Sequence, residues 1–290
     1  MKDLGLRLAT GVVFLTLVIG SILLVNKTVI PFLIFFSLTT AIGLWEFYRI
    51  CENEKIYVQK RHGIFVGTGI FFITALISID HAFLKYQLLV LPLMYAVFIR
   101  ELFRNRENPF TNIGFTILGI IYIALPFTLL VYIVKPGLSG DYKPLILLGY
   151  FMLIWVFDSG AYLVGSNFGK HKMFPKISPK KSWEGAVGGT VFTVMFAYIL
   201  SLYVDDLSFV DWSVIGLIVV VIGTIGDLVE SLLKRSVGIK DSGNIMPGHG
   251  GFLDRMDAFF LTVPFVALTL WVFNQVQNLI LIYNWCVDRS

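Results

Sequence analysis

The sequence is poor in charge, in cysteine and in repetition, and each shortage narrows what the chain can be. Only 14% of its 290 residues are charged, against 57% hydrophobic. With a mean hydropathy of +0.80, that balance excludes an ordinary soluble globular domain. The two cysteines, Cys51 and Cys286, belong to no metal or redox motif. Low-complexity tracts and internal repeats are absent, and no Ser-His-Asp or Cys-His arrangement is recognisable.

What is there in quantity is long apolar runs, at about 4–25, 28–49, 63–79, 84–100, 111–134, 144–165, 185–203, 212–233 and 258–283. Inside a bilayer each segment must satisfy its own backbone polar groups, so such runs are helices. The expectation is an all-α polytopic integral membrane protein of about nine transmembrane helices. The third and fourth runs are short enough that one of them could be re-entrant or tilted. The first is longer than a signal-peptide apolar core and no A-x-A-like site follows it, so it is read as a retained helix. Residues 1–143 are read as N-terminal transmembrane helices, about five of them, and residues 144–290 as a catalytic transmembrane region with cytoplasmic loops 166–184 and 235–257.

Basic residues of short loops mark the cytoplasmic side. Lys2 and Arg7 flank the start, Arg49, Lys55, Lys60 and Arg61 occupy the second loop, and Arg100, Arg104 and Arg106 the fourth. The sixth loop carries Lys170, Lys172, Lys176, Lys180 and Lys181, the eighth Lys234, Arg235, Lys240 and Arg255, while "VDDLSFVD" at 204–211 is purely acidic. This predicts a cytoplasmic N-terminus and an extracytoplasmic C-terminus, and places Cys51 and Cys286 at opposite faces, where they cannot pair.

Carboxylates in membrane segments are rare and mark functional paths. Asp158 in "IWVFDSGAY", Glu184 in "SPKKSWEGAVGG" and Asp227 in "GTIGDLVESLLKR" are three such groups, each read as lying toward a cytoplasmic helix end. Isolated acids such as Glu46 and Glu101 are read instead as interfacial or internally paired. On a helix Asp227, Glu230, Ser231 and Lys234 share one stripe. A Glu230–Lys234 link explains part of it, but Asp227 lies deeper than such a link needs. A hard cation would supply the need, with Asp254 and Asp257 of "GFLDRMDAFF" as further oxygen ligands.

Between these acids the chain reads "KRSVGIKDSGNIMPGHGGFLDRMD", long for a helix connection and rich in glycine. Lys240, Asp241, His249, Asp254 and Arg255 within one run argue against a plain linker, and glycines let backbone amides approach an anion. The sixth loop has the same character. Its Ser178-Pro179-Lys180-Lys181-Ser182 run is followed at once by Trp183 and Glu184 at a helix start, where amides favour a phosphate.

The stretch from Ser231 to Asp257, "SLLKRSVGIKDSGNIMPGHGGFLDRMD", resembles the signature of the CDP-diacylglycerol synthases, also called phosphatidate cytidylyltransferases. The upstream "DSGAYLVGSNFGKHKMFPKISPKKSWEG" is similar to that family's second conserved block, so the motif match spans roughly residues 158 to 257. Ser166 departs from the pattern, standing where many relatives have Lys or Arg. The resemblance implies conversion of CTP and phosphatidic acid to CDP-diacylglycerol and pyrophosphate at a cytoplasm-facing site in the plasma membrane, with Mg2+ required and a second cation left open. It implies metal ligation by Asp227 and Asp254, with Asp257, Asp158 and Glu230 next. Lys234, Arg235, Lys240, His249 and Arg255 would hold the triphosphate and departing pyrophosphate. Ser178, Lys180 and Lys181 would meet the triphosphate or the lipid headgroup, with Ser182, Glu184, Ser231, Asp241, Gly248, Gly250 and Gly251 beside the substrates. No nucleic-acid partner is expected, and a homodimer is among the assemblies the sequence allows. The rival readings are a CTP-dependent lipid kinase and a proton-coupled transporter. Against the transporter, the charges gather at one face and no inverted pair of broken helices is visible.

Overall fold

The computed structural model describes residues 2–136, 140–246, 248 and 250–287. Each apolar run folds as a helix. They are α1 (Lys2–Leu23), α2 (Ile30–Asn53), α3 (Lys60–Ile79) and α4 (His81–Leu102), the last opening with a 3-10 stretch, His81–Leu89. Then come α5 (Pro109–Val134), α6 (Pro144–Phe168), α7 (Trp183–Tyr203), α8 (Phe209–Ser236) and α9 (Asp257–Val287). Among the described residues eight of these helices are long and apolar enough to cross a membrane, including the third and fourth, while the described apolar part of α1 is the shorter Ala9–Leu23.

Helix starts follow local chemistry. Pro31, Pro109 and Pro144 stand in the first turn of α2, α5 and α6, where a missing N–H costs nothing. A capping box of Ser208 and Asp211 opens α8. Two π turns interrupt the regular winding, Ile120–Ala124 in α5 and Val219–Gly223 in α8. Such turns re-aim the side chains that follow them and are frequent at functional sites.

One apolar core runs through both halves of the chain. α6 and α7 form the most extensive helix pair, α5 packs on α9, and α1 on α6. Phe127 of α5 meets Phe36, Phe252, Phe259 and Phe260 with ring centroids 5.0 to 6.3 Å apart. Phe252 belongs to the glycine-rich segment between α8 and α9. It is 3% exposed, and Leu253 beside it 1%. The segment is therefore pinned into the bundle rather than draped over it.

The described residues are almost entirely helical, as expected, with one short exception. In the sixth loop Lys172–Phe174 (β1) and Ser178–Ser182 (β2) pair as a short antiparallel hairpin, with Lys172 opposite Ser182 and Phe174 opposite Ser178. Pro175 and Pro179 cannot donate to a continuous helix, so the loop satisfies its backbone by pairing with itself. A second difference concerns depth. Helix α6 absorbs the polar "GSNF" and runs on to Phe168, which leaves Asp158 ten residues from its end, about 15 Å of helix. Asp158 is thus a mid-helix group, not an end group.

The fully buried Trp212 of α8 lies on Gly149 of α6, where a Cβ would run into the indole. Gly149→Leu is expected to lower the yield of monodisperse protein and its melting temperature in detergent. Gly69→Ala, in α3 where a methyl meets nothing within 4 Å, is expected to leave both intact.

Candidate active site

Where α6, the hairpin, the start of α7 and the middle of α8 converge, they enclose a cavity of about 670 Å³. Asp158, Ser178, Lys180, Lys181, Ser182 and Asp227 all line it. The hairpin is what delivers the lysines. Ser182 ends β2 and caps α7, its hydroxyl accepting from the Gly185 amide at 3.2 Å. The carboxylate of Glu184 accepts from the His171 amide at 3.1 and 3.2 Å and contacts the imidazole at 2.6 Å, so it clamps the start of the hairpin to the start of α7. So held, Lys181 reaches across to α8, 2.6 Å from Asp227 Oδ2 and donating to the Thr224 carbonyl at 3.2 Å.

Asp227 stands one turn past the π turn of α8. One residue earlier, Gly226 lies against the start of α9: a Cβ there would stand 2.8 Å from the Asp257 carbonyl oxygen. That close approach brings Asp257 beneath Asp227, within electrostatic reach of Asp227, Asp158 and Glu230. Asp257 Oδ1 also accepts from the Ala258 amide at 2.7 Å. Asp158, Asp227 and Asp257 thus form a group of three carboxylates with one ammonium, that of Lys181, bonded to it. They do not converge as a finished cage: among the described residues no three His, Cys, Asp or Glu side chains are arranged to hold a metal ion.

Further along the stripe a second knot forms. Lys234 is 2.6 Å from both Glu230 of its own helix and Asp254 of the following segment. Asp254 Oδ2 accepts from the Ser242 amide at 2.9 Å, the Ser242 hydroxyl at 3.1 Å and the Gly251 amide at 3.0 Å. With all four bonds made, Asp254 organises the loop around itself. Gly250, at φ +86°, supplies the left-handed turn that aims the Gly251 amide inward while its carbonyl pairs with Met246.

The residues singled out in the sequence therefore fall into two groups. Asp158, Asp227, Ser178, Lys180, Lys181 and Ser182 line the cavity. Glu230, Lys234, Asp254 and Gly251 form the knot, with Ser231 linking the two groups, its hydroxyl 3.5 Å from Asp227 Oδ1. Glu184 clamps the hairpin. Arg235, Lys240, Asp241, Gly248 and Arg255 are exposed around the segment and do not line the cavity. His249 lies outside the described residues.

Sequence reasoning passed over two groups. Tyr122, in the π turn of α5, lies within electrostatic reach of Glu230, Asp257 and Asp227, and its buried hydroxyl has no hydrogen-bond partner among the described residues. A tyrosine in an apolar run carries no signal that would have found it. Glu46 was read as interfacial or paired, yet it is fully buried and accepts from the Leu253 amide at 2.7 Å. Its charge within "TTAIGLWEFYRI" was the available clue. Glu101, by contrast, does make the expected internal pair, with Arg104 at 2.7 Å.

Burial alone would raise the Asp254 carboxyl, but the Lys234 ammonium and the Ser242 and Gly251 amides outweigh it and hold the group below the usual aspartate range. A depressed folded value means that its contribution is present above the unfolded aspartate value of about 3.9 and is lost as pH falls through the folded value. The melting temperature of the protein in detergent is therefore expected to fall as the pH is taken below about 4. Asp254→Asn is expected to melt lower at neutral pH and to flatten that part of the profile. A profile unchanged by Asp254→Asn contradicts the knot.

The chain can now be set beside known proteins. Residues 5–273 match the Cytidylyltransferase family. The chain is 34% identical over 285 residues to the phosphatidate cytidylyltransferase of Bacillus subtilis (strain 168), which covers 94% of this chain and 100% of that protein. It is 38% identical over 169 residues to the phosphatidate cytidylyltransferase of Staphylococcus aureus (strain COL), covering 58% of this chain and 62% of that one. The phosphatidate cytidylyltransferase of Haemophilus influenzae is 45% identical over 130 residues, 43% of this chain and 45% of that protein. Because the family match runs from α1 into α9 and takes in both the cavity and the knot, this chain belongs to the cytidylyltransferase family.

Proposed function

We propose that the chain is a membrane-embedded phosphatidate cytidylyltransferase, converting CTP and phosphatidic acid to CDP-diacylglycerol and pyrophosphate. Full-length similarity to a protein of that name supports the reaction. The observation that carries the site is the cavity in which Asp158, Asp227, Lys180, Lys181 and Ser178 meet among apolar helices. Neither a lipid kinase nor a proton-coupled carrier gains support from the relatives.

A phosphate monoester with a second pKa of about 6 is largely ionised at neutral pH, so the lipid phosphate needs no strong general base. Its oxygen forms a bond to the α-phosphorus of CTP while the bond to the β-phosphate oxygen breaks, and pyrophosphate leaves. The obstacle is repulsion between two polyanions. Lys180, Lys181 and Ser178 line the cavity and would meet it, and Lys234, Arg235, Lys240 and Arg255, outside that lining, would serve the triphosphate and the leaving group from the neighbouring segment.

The residues present fit magnesium. Asp158 and Asp227 are oxygen donors in the lining of one cavity, Asp257 lies within electrostatic reach of both, and one or two carboxylates suffice for an ion that keeps waters and substrate phosphates in its shell. When bound, it would supply neutralisation of the phosphate oxygens in an in-line displacement. Asp254, with its four bonds already made, is better suited to hold the loop than to ligate the ion directly, and a second cation is not required by this donor set.

The basic loops support a cytoplasmic N-terminus in the plasma membrane, with the site facing the cytoplasmic CTP pool, and a crossing by α1 in addition to the eight longer helices among the described residues would place the C-terminus outside. The acyl chains then remain in the leaflet while the headgroup enters between helices. A homodimer is compatible with this arrangement.

Purified protein given labelled CTP and phosphatidate is expected to release pyrophosphate and form CDP-lipid, to stop in excess chelator and to recover with magnesium. Asp227→Asn is expected to lower turnover by about 10³-fold or more, since it removes an oxygen donor of the group that would hold magnesium against the transferring phosphoryl group. Asp205→Asn, in the exposed outer loop, is expected to change little. Release of CDP rather than pyrophosphate would identify a kinase instead. For orientation, Asp205→Cys in a Cys286→Ser background should react with an impermeant maleimide in intact cells, and Lys170→Cys only after permeabilisation. Cys51 is 3% exposed and stays silent in both. The reverse labelling pattern overturns the orientation.

A further inference from the structure

We propose that Glu46 is a positioning residue for the nucleotide-facing segment, fastening it from the opposite half of the chain. The inference rests on the reaction proposed above. Glu46 belongs to α2 and is 0% exposed, yet it forms no ion pair with a lysine or arginine among the described residues. A buried carboxylate without a cation costs several kcal/mol unless hydrogen bonds compensate. The compensation here is partial and comes from the segment at 242–253, for Oε1 is buried without a hydrogen-bond partner among the described residues. Glu46 Oε2 accepts from the Leu253 amide at 2.7 Å, across 207 residues of sequence. Oε1 lies against Gly243 and Gly251: a methyl at either position would overlap it.

The consequence passes to the charged knot through adjacent atoms. Leu253 immediately precedes Asp254 and opens the short 3-10 turn Leu253–Arg255. Ser242 and Gly251, the donors that fix Asp254 Oδ2, stand next to Gly243 and at the overlap with Glu46 respectively. Asp254 in turn sets Lys234 on α8, 2.6 Å away. The apolar anchors Phe252 and Leu253 give the segment its depth but not its rotation. An acceptor at a fixed point is what holds the turn in one orientation. Glu46 itself does not line the cavity and meets no substrate, so its effect on the reaction runs through Leu253, Ser242 and Asp254.

The test compares Glu46→Ala, Glu46→Gln and Glu101→Ala, the last removing another buried carboxylate in a polar cluster of α3, α4 and α5. Loss of a supporting hydrogen bond to a functional group typically costs 10-fold to 100-fold, so Glu46→Ala is expected to raise the KM for CTP about tenfold while the KM for phosphatidate holds. Glu46→Gln keeps a carbonyl acceptor for the Leu253 amide and is expected to recover most of that loss. Glu101→Ala is expected to lower the melting temperature without moving the KM for CTP. Amide exchange by mass spectrometry over residues 240–256 gives a readout independent of activity: faster in Glu46→Ala, unchanged in Glu101→Ala. A general destabilisation with an unchanged KM for CTP, or equal rises in both KM values, overturns the proposal, as does unchanged exchange in this segment. If Glu46→Ala does not insert, Glu46→Leu, which also removes the acceptor for the Leu253 amide, carries the same comparison. Wild-type protein that forms no CDP-lipid refutes the reaction instead, and the exchange result then decides the fastening alone.

Discussion

The arrangement depends on one ammonium group. Lys234 stands 2.6 Å from Glu230 and 2.6 Å from Asp254, at the point where α8 gives way to the glycine-rich segment. Two carboxylates so close together repel in a medium of low dielectric, and a cation between them turns that repulsion into a bond joining helix to loop. Asp254 uses its remaining oxygen to gather the Ser242 and Gly251 amides. A segment that would otherwise be conformationally loose thereby acquires a fixed centre. About two turns earlier on the same helix, Lys181 and Asp227 repeat the device between α8 and the hairpin. Helix α8 is the element to which both basic loops are tied.

The N-terminal helices take on a role that their bland composition conceals. Phe14 and Phe127 receive Phe252, and Glu46 receives Leu253, so the half of the chain without motifs forms the seat for the segment that carries them. This explains why a family match extends over residues 5–273 when the recognisable chemistry is confined to a fraction of that length. A soluble nucleotidyltransferase could support such a loop from a sheet. Here the support comes from aromatic packing among helices, with a single buried carboxylate to set the orientation.

Depth follows from the same packing. Asp158 lies some 15 Å from the end of α6, and the cavity it lines sinks between helices rather than resting on them. For a reaction joining a lipid phosphate to a nucleotide this placement is useful. In the proposed reaction the headgroup would descend little and the nucleotide would enter from the aqueous side, toward a cavity lined by the hairpin's Lys180 and Lys181. The cost is three carboxylates held among apolar helices, which the Lys181 ammonium on Asp227 and the Ala258 amide on Asp257 offset in part.

By itself the sequence determined that the chain is a bundle of apolar helices, because runs of that length admit no other backbone solution in a bilayer, and it determined which polar residues were too costly to be incidental. Asp227 and Lys234 were legible as a stripe because helical periodicity is a local property. Only the tertiary structure decided that Asp227 pairs with Lys181 from another loop, that Asp254 serves as the centre of a hydrogen-bonded turn, and that the sixth loop folds as a hairpin. Those outcomes depend on which groups meet across 43 or 207 residues, as with Lys181 and Thr224 or Glu46 and Leu253. Periodicity and composition carry no record of such meetings. They are set by how close two helices approach, and at Gly226 against Asp257 that approach is a matter of one absent methyl group.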